Sequence, residues 1–215
     1  MSMLALTLGD NMRLKIYSLH WKNIDTRIVL GQEKVFEKFG LPITQHCIDG
    51  LDHAEWMQWV TDTTDAEIIL FIDVDCIITN PTEAMKWIHK AQDGSLVGNV
   101  QSTNHLGAEV AKKTFAAPSF LVLHKLMYVA MGKPSFKATP YGDVAQLLTD
   151  TWRMRGLPVH LLPITHFEKP KWALAGVPDQ YGIGTTFADC NYHLFESRNS
   201  ENKELFFKKC KEIVK

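Results

Sequence analysis

The sequence predicts an α/β fold, a mixed central sheet flanked by helices, and three observations carry that prediction. Over the first hundred residues, short apolar strand signals alternate with amphipathic helix signals, most of them opened by a cap or closed by glycine or proline. One run, Ile68-Ile69-Leu70-Phe71-Ile72, is apolar at five consecutive positions, which suits a strand covered on both faces. Farther along, strand signals continue, but their connections shorten and become less regular, so a mixed rather than wholly parallel sheet is expected.

Leu14 to Ser18 alternates and predicts the first strand, with Ser18 to Asp25 as its loop. Val35, Phe36 and Phe39 share a helical face that Gly40-Leu41-Pro42 ends. Ile43 to Ile48 predicts a second strand, closed by Asp49-Gly50. Asp52 then caps a helix, Glu55 completes a capping box, and Trp56, Met57 and Val60 form the inner stripe. After the apolar run, Asn80-Pro81-Thr82-Glu83 is another start signal: N-cap, proline at the first helical position, acid at the third. Ala84, Trp87, Ile88 and Ala91 are its inward face. Ser95 to Val100 predicts a short strand opening into the polar loop Gln101 to His105. Ser119 to His124 predicts a strand, and Leu126 to Met131 a short helix ended by Gly132. Asp143 is expected to cap a long amphipathic helix, with Gln146 at the box position and Gly156 past its end. Val159 to Leu162 is the last clear strand. From Pro163 to Arg198 the chain is rich in proline, glycine and aromatics with little periodicity, which predicts long substrate loops. Lys208 to Lys215 predicts a basic helix.

Composition narrows the function classes. The chain has 215 residues, enough for one sizeable core, and a formal net charge of −1 with no basic patch, which argues against nucleic acid as a partner. Cys47, Cys76, Cys190 and Cys210 are far apart and form no CxxC, so they read as reduced thiols. No run approaches a membrane span, and Met1 to Leu8 is too short and too poor in basic residues for a secretory leader. A cytosolic protein is expected.

The chemistry is concentrated where the apolar run meets Asp73-Val74-Asp75. Two carboxylates one residue apart, at the end of a buried strand, repel each other unless a cation or hydrogen-bond donors meet them. In open α/β sheets that end of the strands is where ligands bind. An Mg²⁺ or Mn²⁺ ion carrying substrate phosphates is the natural partner. The plain alternative is that the two acids merely end a strand in a solvated loop.

Asp73-Val74-Asp75 closing the third βα unit, together with the acid of Tyr141-Gly142-Asp143 opening a later helix, resembles the nucleotide-sugar glycosyltransferases of the GT-A fold. More narrowly, the chain resembles the glycosyltransferase domain of the large capsid-glycosylation proteins of algal viruses (chloroviruses). In element order the resemblance covers most of the chain, although only the D-x-D is a recognisable motif. It implies a GT-A-like (Rossmann-type) single domain over residues 1–215, with a nucleotide-binding half over about 1–105 and an acceptor-binding half over about 106–215. It implies a UDP-sugar donor, a glycan or glycoprotein acceptor, and Mn²⁺ or Mg²⁺ as cofactor. Asp73 is then expected to touch ribose or metal and Asp75 to bind the metal. The base is expected over the first two strand ends, near Tyr17, Ser18, His20 and Asp49. Asp143 becomes a general base or a sugar-binding acid, against its structural role as an N-cap worth about 1 kcal/mol. A late histidine often joins the metal in this family, and His193 fits, with Arg198 reaching a phosphate. His166 competes, in a segment similar to the H-x-x-G-x-x-K-P-W of glycogenin-like enzymes, but shortened and without its glycine. Trp172 or Tyr181 is expected either to stack on a sugar ring or to sit in the core.

Two other classes share parts of this pattern. A haloacid-dehalogenase-type phosphatase also places D-x-D after an apolar strand, with the first acid, here Asp73, as nucleophile. Such enzymes begin near that strand, whereas two βα units precede it here. A sugar- or nucleotide-binding module that lost turnover is the non-enzymatic alternative.

Overall fold

The computed structural model describes residues 13–107, 109, 112–198 and 201–215; the leader expectation for Met1 to Leu8 lies outside them. A six-stranded mixed sheet forms the centre, built from β1 (Leu14–His20), β2 (Ile43–Cys47), β3 (Ile68–Ile72), β5 (Leu96–Ser102), β6 (Thr114–His124) and β7 (Val159–Leu162), in the order β2-β1-β3-β6-β5-β7. β1 runs parallel to β2 and β3, β6 runs antiparallel to β3 and β5, and β7 returns parallel to β5. The D-x-D strand β3 therefore lies inside the sheet, and all five of its residues are buried.

Its side chains divide by parity, as a strand requires. Ile68, Leu70 and Ile72 pack into a cluster with Phe36 of α1 (Thr26–Lys38) and Ala84, Met85 and Ile88 of α3 (Pro81–His89). Ile69 and Phe71 face Trp56, Met57 and Val60 of α2 (His53–Thr63), Tyr128 of α4 (Lys125–Ala130), and Leu148 and Trp152 of α5 (Gln146–Met154). Truncating one such core residue to alanine costs about 2–5 kcal/mol, so β3 is a rigid mount for the turn at its C-terminal end. The predicted caps form: Asp52 accepts from the N–H groups of Ala54 and Glu55, and Asn80 accepts from that of Glu83. At the β5–β6 bulge the strands approach so closely that a Cβ on Gly98 would lie 2.8 Å from the Ala116 Cβ, which leaves room only for glycine.

Directly after the D-x-D, β4 (Cys76–Ile78) starts a second, four-stranded sheet with β12 (Asn191–His193), β11 (Thr185–Phe187) and β8 (Ile164–His166), all antiparallel neighbours. A hairpin of β9 (Lys169–Leu174) and β10 (Val177–Ile183) stands beside it. The C-terminal helix α6 (Lys203–Val214) packs Phe206 and Cys210 against Ile28 and Val35 of α1.

Several sequence expectations are corrected. The stretch from Pro163 to Arg198 is not a set of irregular loops but five short strands. Three are only three residues long, too short for periodicity to show. β1 extends to His20, so Ser18 and His20 are strand residues rather than loop residues. β5 and β6 are longer than predicted, the first absorbing Gln101 and Ser102. The helix after Asp143 begins at Gln146, behind Ala145 in a left-handed conformation (φ 65°), and is therefore short. Gln146 still accepts from the Asp143 N–H, at 3.0 Å, but the Asp143 carboxylate accepts from Val144 N–H next door instead of from the helix.

Candidate functional site

The end of β3 carries Asp73 and Asp75 out of the core and into a tight turn closed by the Cys76 N–H on the Asp73 carbonyl, at 2.9 Å. β12 pairs with β4 in the register Asn191–Ile78, Tyr192–Ile77, His193–Cys76. That register lays His193 beside Cys76 and so brings it to Asp75, across 118 positions of sequence. The His193 Nε2 lies 3.2 Å from the Asp75 Oδ1 and 3.5 Å from the Asp73 Oδ2. One ligand atom from each of the three residues falls within a 4.8 Å group. The loop past β12 adds two further bonds: Leu194 N–H donates to the Asp75 carbonyl, and the Ser197 side chain bonds to the Asp75 carboxylate. Phe195 packs on the imidazole of His193 with ring centroids 3.9 Å apart.

Two cavities open from this cluster and share Asp73, Asp75 and Glu196. The larger, of about 510 Å³, is lined by His20 and Trp21 at the end of β1, His53 at the start of α2, and Ser197 and Arg198. The Arg198 guanidinium lies over the Trp21 ring at 5.0 Å, and the Trp21 Nε1–H donates to the Leu51 carbonyl. His53 Nε2 stands 3.7 Å from the Asp73 Oδ1, its ring stacked on Trp56. The smaller cavity, of about 270 Å³, is lined by Gln101, Phe115, Pro118, Ser119, Asp143, His193 and Phe195. Asp143 there faces His105, whose Nδ1 is 3.8 Å from its carboxylate.

The electrostatics separate the two acids. Burial pushes Asp73 above the usual carboxylate range; His53 and His193 oppose that, and the charges of Asp75 and Asp143 reinforce it. Burial also acts to raise Asp75, but the His193 charge and the hydrogen bonds from His193 and Ser197 outweigh it, so Asp75 sits below its ordinary value. Burial works to lower His193, and the charge and hydrogen bond of Asp75 overcome it and raise the imidazole. A divalent cation at this cluster would compete with protons for the same groups. Two hard carboxylate oxygens and one imidazole suit Mn²⁺, and carboxylates suit Mg²⁺. The buried Nδ1 of His193 has no hydrogen-bond partner among the described residues, leaving Nε2, aimed at both acids, as the ring's working atom.

Of the residues singled out by sequence, Asp73, Asp75, His20 and Arg198 line the larger cavity, and His193 and Asp143 line the adjoining one, which shares the two D-x-D acids. Tyr17 does not join them. It is turned into the core under α2, with its hydroxyl 2.7 Å from the Thr64 Oγ1. Ser18 is fully buried and its hydroxyl makes no hydrogen bond among the described residues; it lines neither cavity. Asp49 is engaged by Lys22, through its backbone N–H at 2.8 Å and its ammonium at 3.1 Å. His166 is largely exposed and stands 3.9 Å from Glu168, away from the D-x-D. Tyr181 is buried, bonded to Asn104 and the Ser102 carbonyl, so it is core packing, and the partly buried Trp172 packs against it and Phe195. Sequence reading missed Trp21, His53, Glu196 and Ser197. Trp21 and Ser197 stand directly beside residues it did single out, and His53 follows a recognised cap. Glu196 carries a signal only in the backbone, since Phe195 and Glu196 are both left-handed, with φ of 49° and 51°.

No family model matches the chain, and no curated protein matches it. Among solved structures it is similar to the mannosyltransferase PcManGT from Pyrobaculum calidifontis in complex with GDP-Man and Mn²⁺, with 11% identity and a TM-score of 0.50, over 70% of this chain and 55% of that one. The chain thus spans about half the length of that enzyme. Other similar structures include A197 from STIV, at 8% identity and a TM-score of 0.46 over 85% of this chain and 94% of that one. A glycosyltransferase involved in the glycosylation of the major capsid of PBCV-1 is similar at 15% identity and a TM-score of 0.39, over 69% and 82%. At such identities the likeness is one of fold, and the fold is the GT-A-like mixed α/β sheet flanked by helices that the sequence predicts.

Proposed function

We propose that this chain is a metal-dependent glycosyltransferase that moves a sugar from a nucleoside-diphosphate sugar, UDP-linked, to a glycan or glycoprotein. The observation that carries the reading is the Asp73–Asp75–His193 cluster at the junction of two cavities, one large enough for a nucleotide and one of sugar size. The nucleotide-binding half, about 1–105, supplies His20, Trp21, His53 and the two acids, and the acceptor half, about 106–215, supplies Asp143 and the closing loop.

Asp73, Asp75 and His193 would hold the ion, Mn²⁺ or Mg²⁺. When bound, it supplies the positive charge that makes a nucleoside diphosphate a competent leaving group. The chain's own groups do the rest. Arg198 and His53 flank the larger cavity where a diphosphate would lie, and Trp21 offers a flat face beside them. Asp143 lines the smaller cavity and meets the reacting sugar, taking the proton of an attacking hydroxyl or binding the sugar's own hydroxyls. A bond forms from the acceptor oxygen to the anomeric carbon, and the bond from that carbon to the diphosphate oxygen breaks. Residues 195–198 line the two cavities and would keep water from taking the acceptor's place.

The test is a screen of UDP-, GDP- and ADP-sugars for release of nucleoside diphosphate, with Mn²⁺, with chelator, and with Asp75→Asn. Metal-dependent release from a UDP-sugar, abolished by chelator and by the variant, is expected. Preference for a GDP-sugar would overturn the base assignment. Full turnover by Asp75→Asn in chelator would overturn the metal reading, and nucleotide binding without release would leave a binding module.

A further inference from the structure

Gln32 is a fully buried amide in the middle of α1, surrounded by the apolar residues Ile28, Val35 and Phe36 of the same helix. A buried side-chain amide has two N–H donors that must be met. Here both are spent on one short segment: the Nε2 donates to the Asp73 carbonyl and to the Cys76 carbonyl, each at 2.7 Å. Both partners are carbonyls, which fixes the amide's orientation. The Gln32 Oε1 accepts from the Gln45 Nε2 at 2.9 Å, and that nitrogen also donates to the Val29 carbonyl at 3.1 Å. A relay thus runs from β2, through α1, to the two ends of the turn that carries Asp75.

We propose that Gln32, supported by Gln45, is a positioning residue that fixes the Asp73–Asp75 turn in the geometry needed to hold a divalent ion. The proposal rests on the metal reading above. Neither glutamine lines the two cavities or touches the carboxylates, so their effect passes through the backbone. Asp73 and Asp75 belong to one four-residue turn, closed by the Cys76 N–H on the Asp73 carbonyl, and rotation of that turn would swing their carboxylates apart. One amide bridging the carbonyls of Asp73 and Cys76 holds both hinge points against α1, which is itself clamped by α6. Groups of this kind, one step removed from the ligands, govern ligand orientation in metal sites. A helix interior is a costly place for an amide unless every hydrogen bond is made, and here they are all made to the metal turn and its support.

The test uses Gln32→Met, which keeps length and removes the donors, and Gln45→Met, which removes only the support. Mn²⁺ alone is titrated against each full-length variant and followed by its electron paramagnetic resonance. Exchange of the Cys76 N–H is measured in the metal-free proteins, and unfolding by denaturant reports global stability. Gln32→Met is expected to weaken Mn²⁺ binding by about 10–100-fold and to speed Cys76 exchange beyond any change in global stability. Gln45→Met is expected to move both in the same direction by less. A folded Gln32→Met with an affinity within about twofold of the parent and unchanged Cys76 exchange would overturn the proposal, because a purely structural amide predicts that result. Should Gln32→Met fail to fold, Gln45→Met decides by the same criteria. If the parent protein binds no Mn²⁺, the metal reading falls, and unchanged Cys76 exchange in the variants separately overturns the role of Gln32.

Discussion

Asp73 and Asp75 stand at the end of a strand with five buried residues, in the middle of the sheet. His193 stands on a three-residue strand and is followed within two positions by a pair of left-handed residues. The first region is organised by local pattern and deep burial. The second is held by pairing with distant partners and by side chains that grip the first. Left-handed conformations in non-glycine residues cost of order 1–3 kcal/mol each when the surroundings enforce them, and here those surroundings are the bonds of His193, Leu194 and Ser197 to Asp75. The two regions divide the labour: the early region is a fixed mount, and the late region is a strap held by its bonds to that mount.

The sharpest way to break that division is Asp143, which comes late in the chain and lines the smaller cavity together with Phe195 and Glu196 of the strap. Its carboxylate does not cap α5; the residue before that helix is Ala145, and the carboxylate accepts from the N–H of Val144 and faces His105. Asp143→Asn is therefore expected to leave the fold and donor affinity near normal while turnover falls about 10²–10⁴-fold, the range of a lost acid–base group. Steady-state rates together with nucleotide calorimetry check it. Near-normal turnover would return Asp143 to a structural role.

The same contrast explains what the sequence made legible. Ile68 to Ile72 announces itself because a strand buried on both faces must be apolar throughout, and Asp52 and Asn80 announce helices because caps act within three residues. Those signals place the fold and the carboxylate pair. The position of His193 beside Asp75 comes from the β4–β12 register, a pairing between two three-residue strands that no local pattern encodes. Its sequence assignment came by resemblance to a family. Tyr17 shows the opposite failure. Being at a strand end near the ligand says nothing about which face a side chain takes, and parity turned Tyr17 toward Thr64 while His20 reached the cavity. Trp172 and Tyr181 looked available because their segment looked irregular; once it folds as a hairpin, they become its packing.

A smaller effect tests which part of the late region reaches the ion. His193→Ala and His166→Ala are each titrated with Mn²⁺ in the presence of saturating UDP. With His193 3.2 Å from Asp75 and His166 on the exposed outer strand, the first is expected to weaken binding about 10-fold or more, as removal of a ligand should at least match the loss of an outer partner. The second is expected to change it by less than about twofold. The reverse pattern would move the site to the β8 side of the second sheet and leave the strap structural.

The smallest effect is on stability, and it distinguishes strap from mount in the absence of metal. His193 is raised above its ordinary value of 6.5 because Asp75 and Asp73 outweigh burial. The folded state therefore binds this proton more tightly than the unfolded chain. That contribution is fully present below about pH 6.5 and is lost as pH rises through the folded value. Asp73, also raised, acts in the same direction from its ordinary 3.8 upward, whereas Asp75, lowered, contributes stability above 3.8 that disappears only in acid. In chelator, then, the melting temperature should fall as pH is taken from 6.5 through the range above it. Each unit of elevation is worth about 1.4 kcal/mol, and about 1 kcal/mol moves the midpoint of a chain this size by about 2–4 °C. Mn²⁺ replaces the departing proton, so it should raise the midpoint more at the alkaline end than at pH 6.5. His193→Ala should flatten the decline and remove most of the metal's pH-dependent gain. A midpoint that holds or rises over this range in the metal-free parent, with the same trend in His193→Ala, would mean that the imidazole is not gripping the carboxylates in solution and that the late region is held in place by its strand pairing alone.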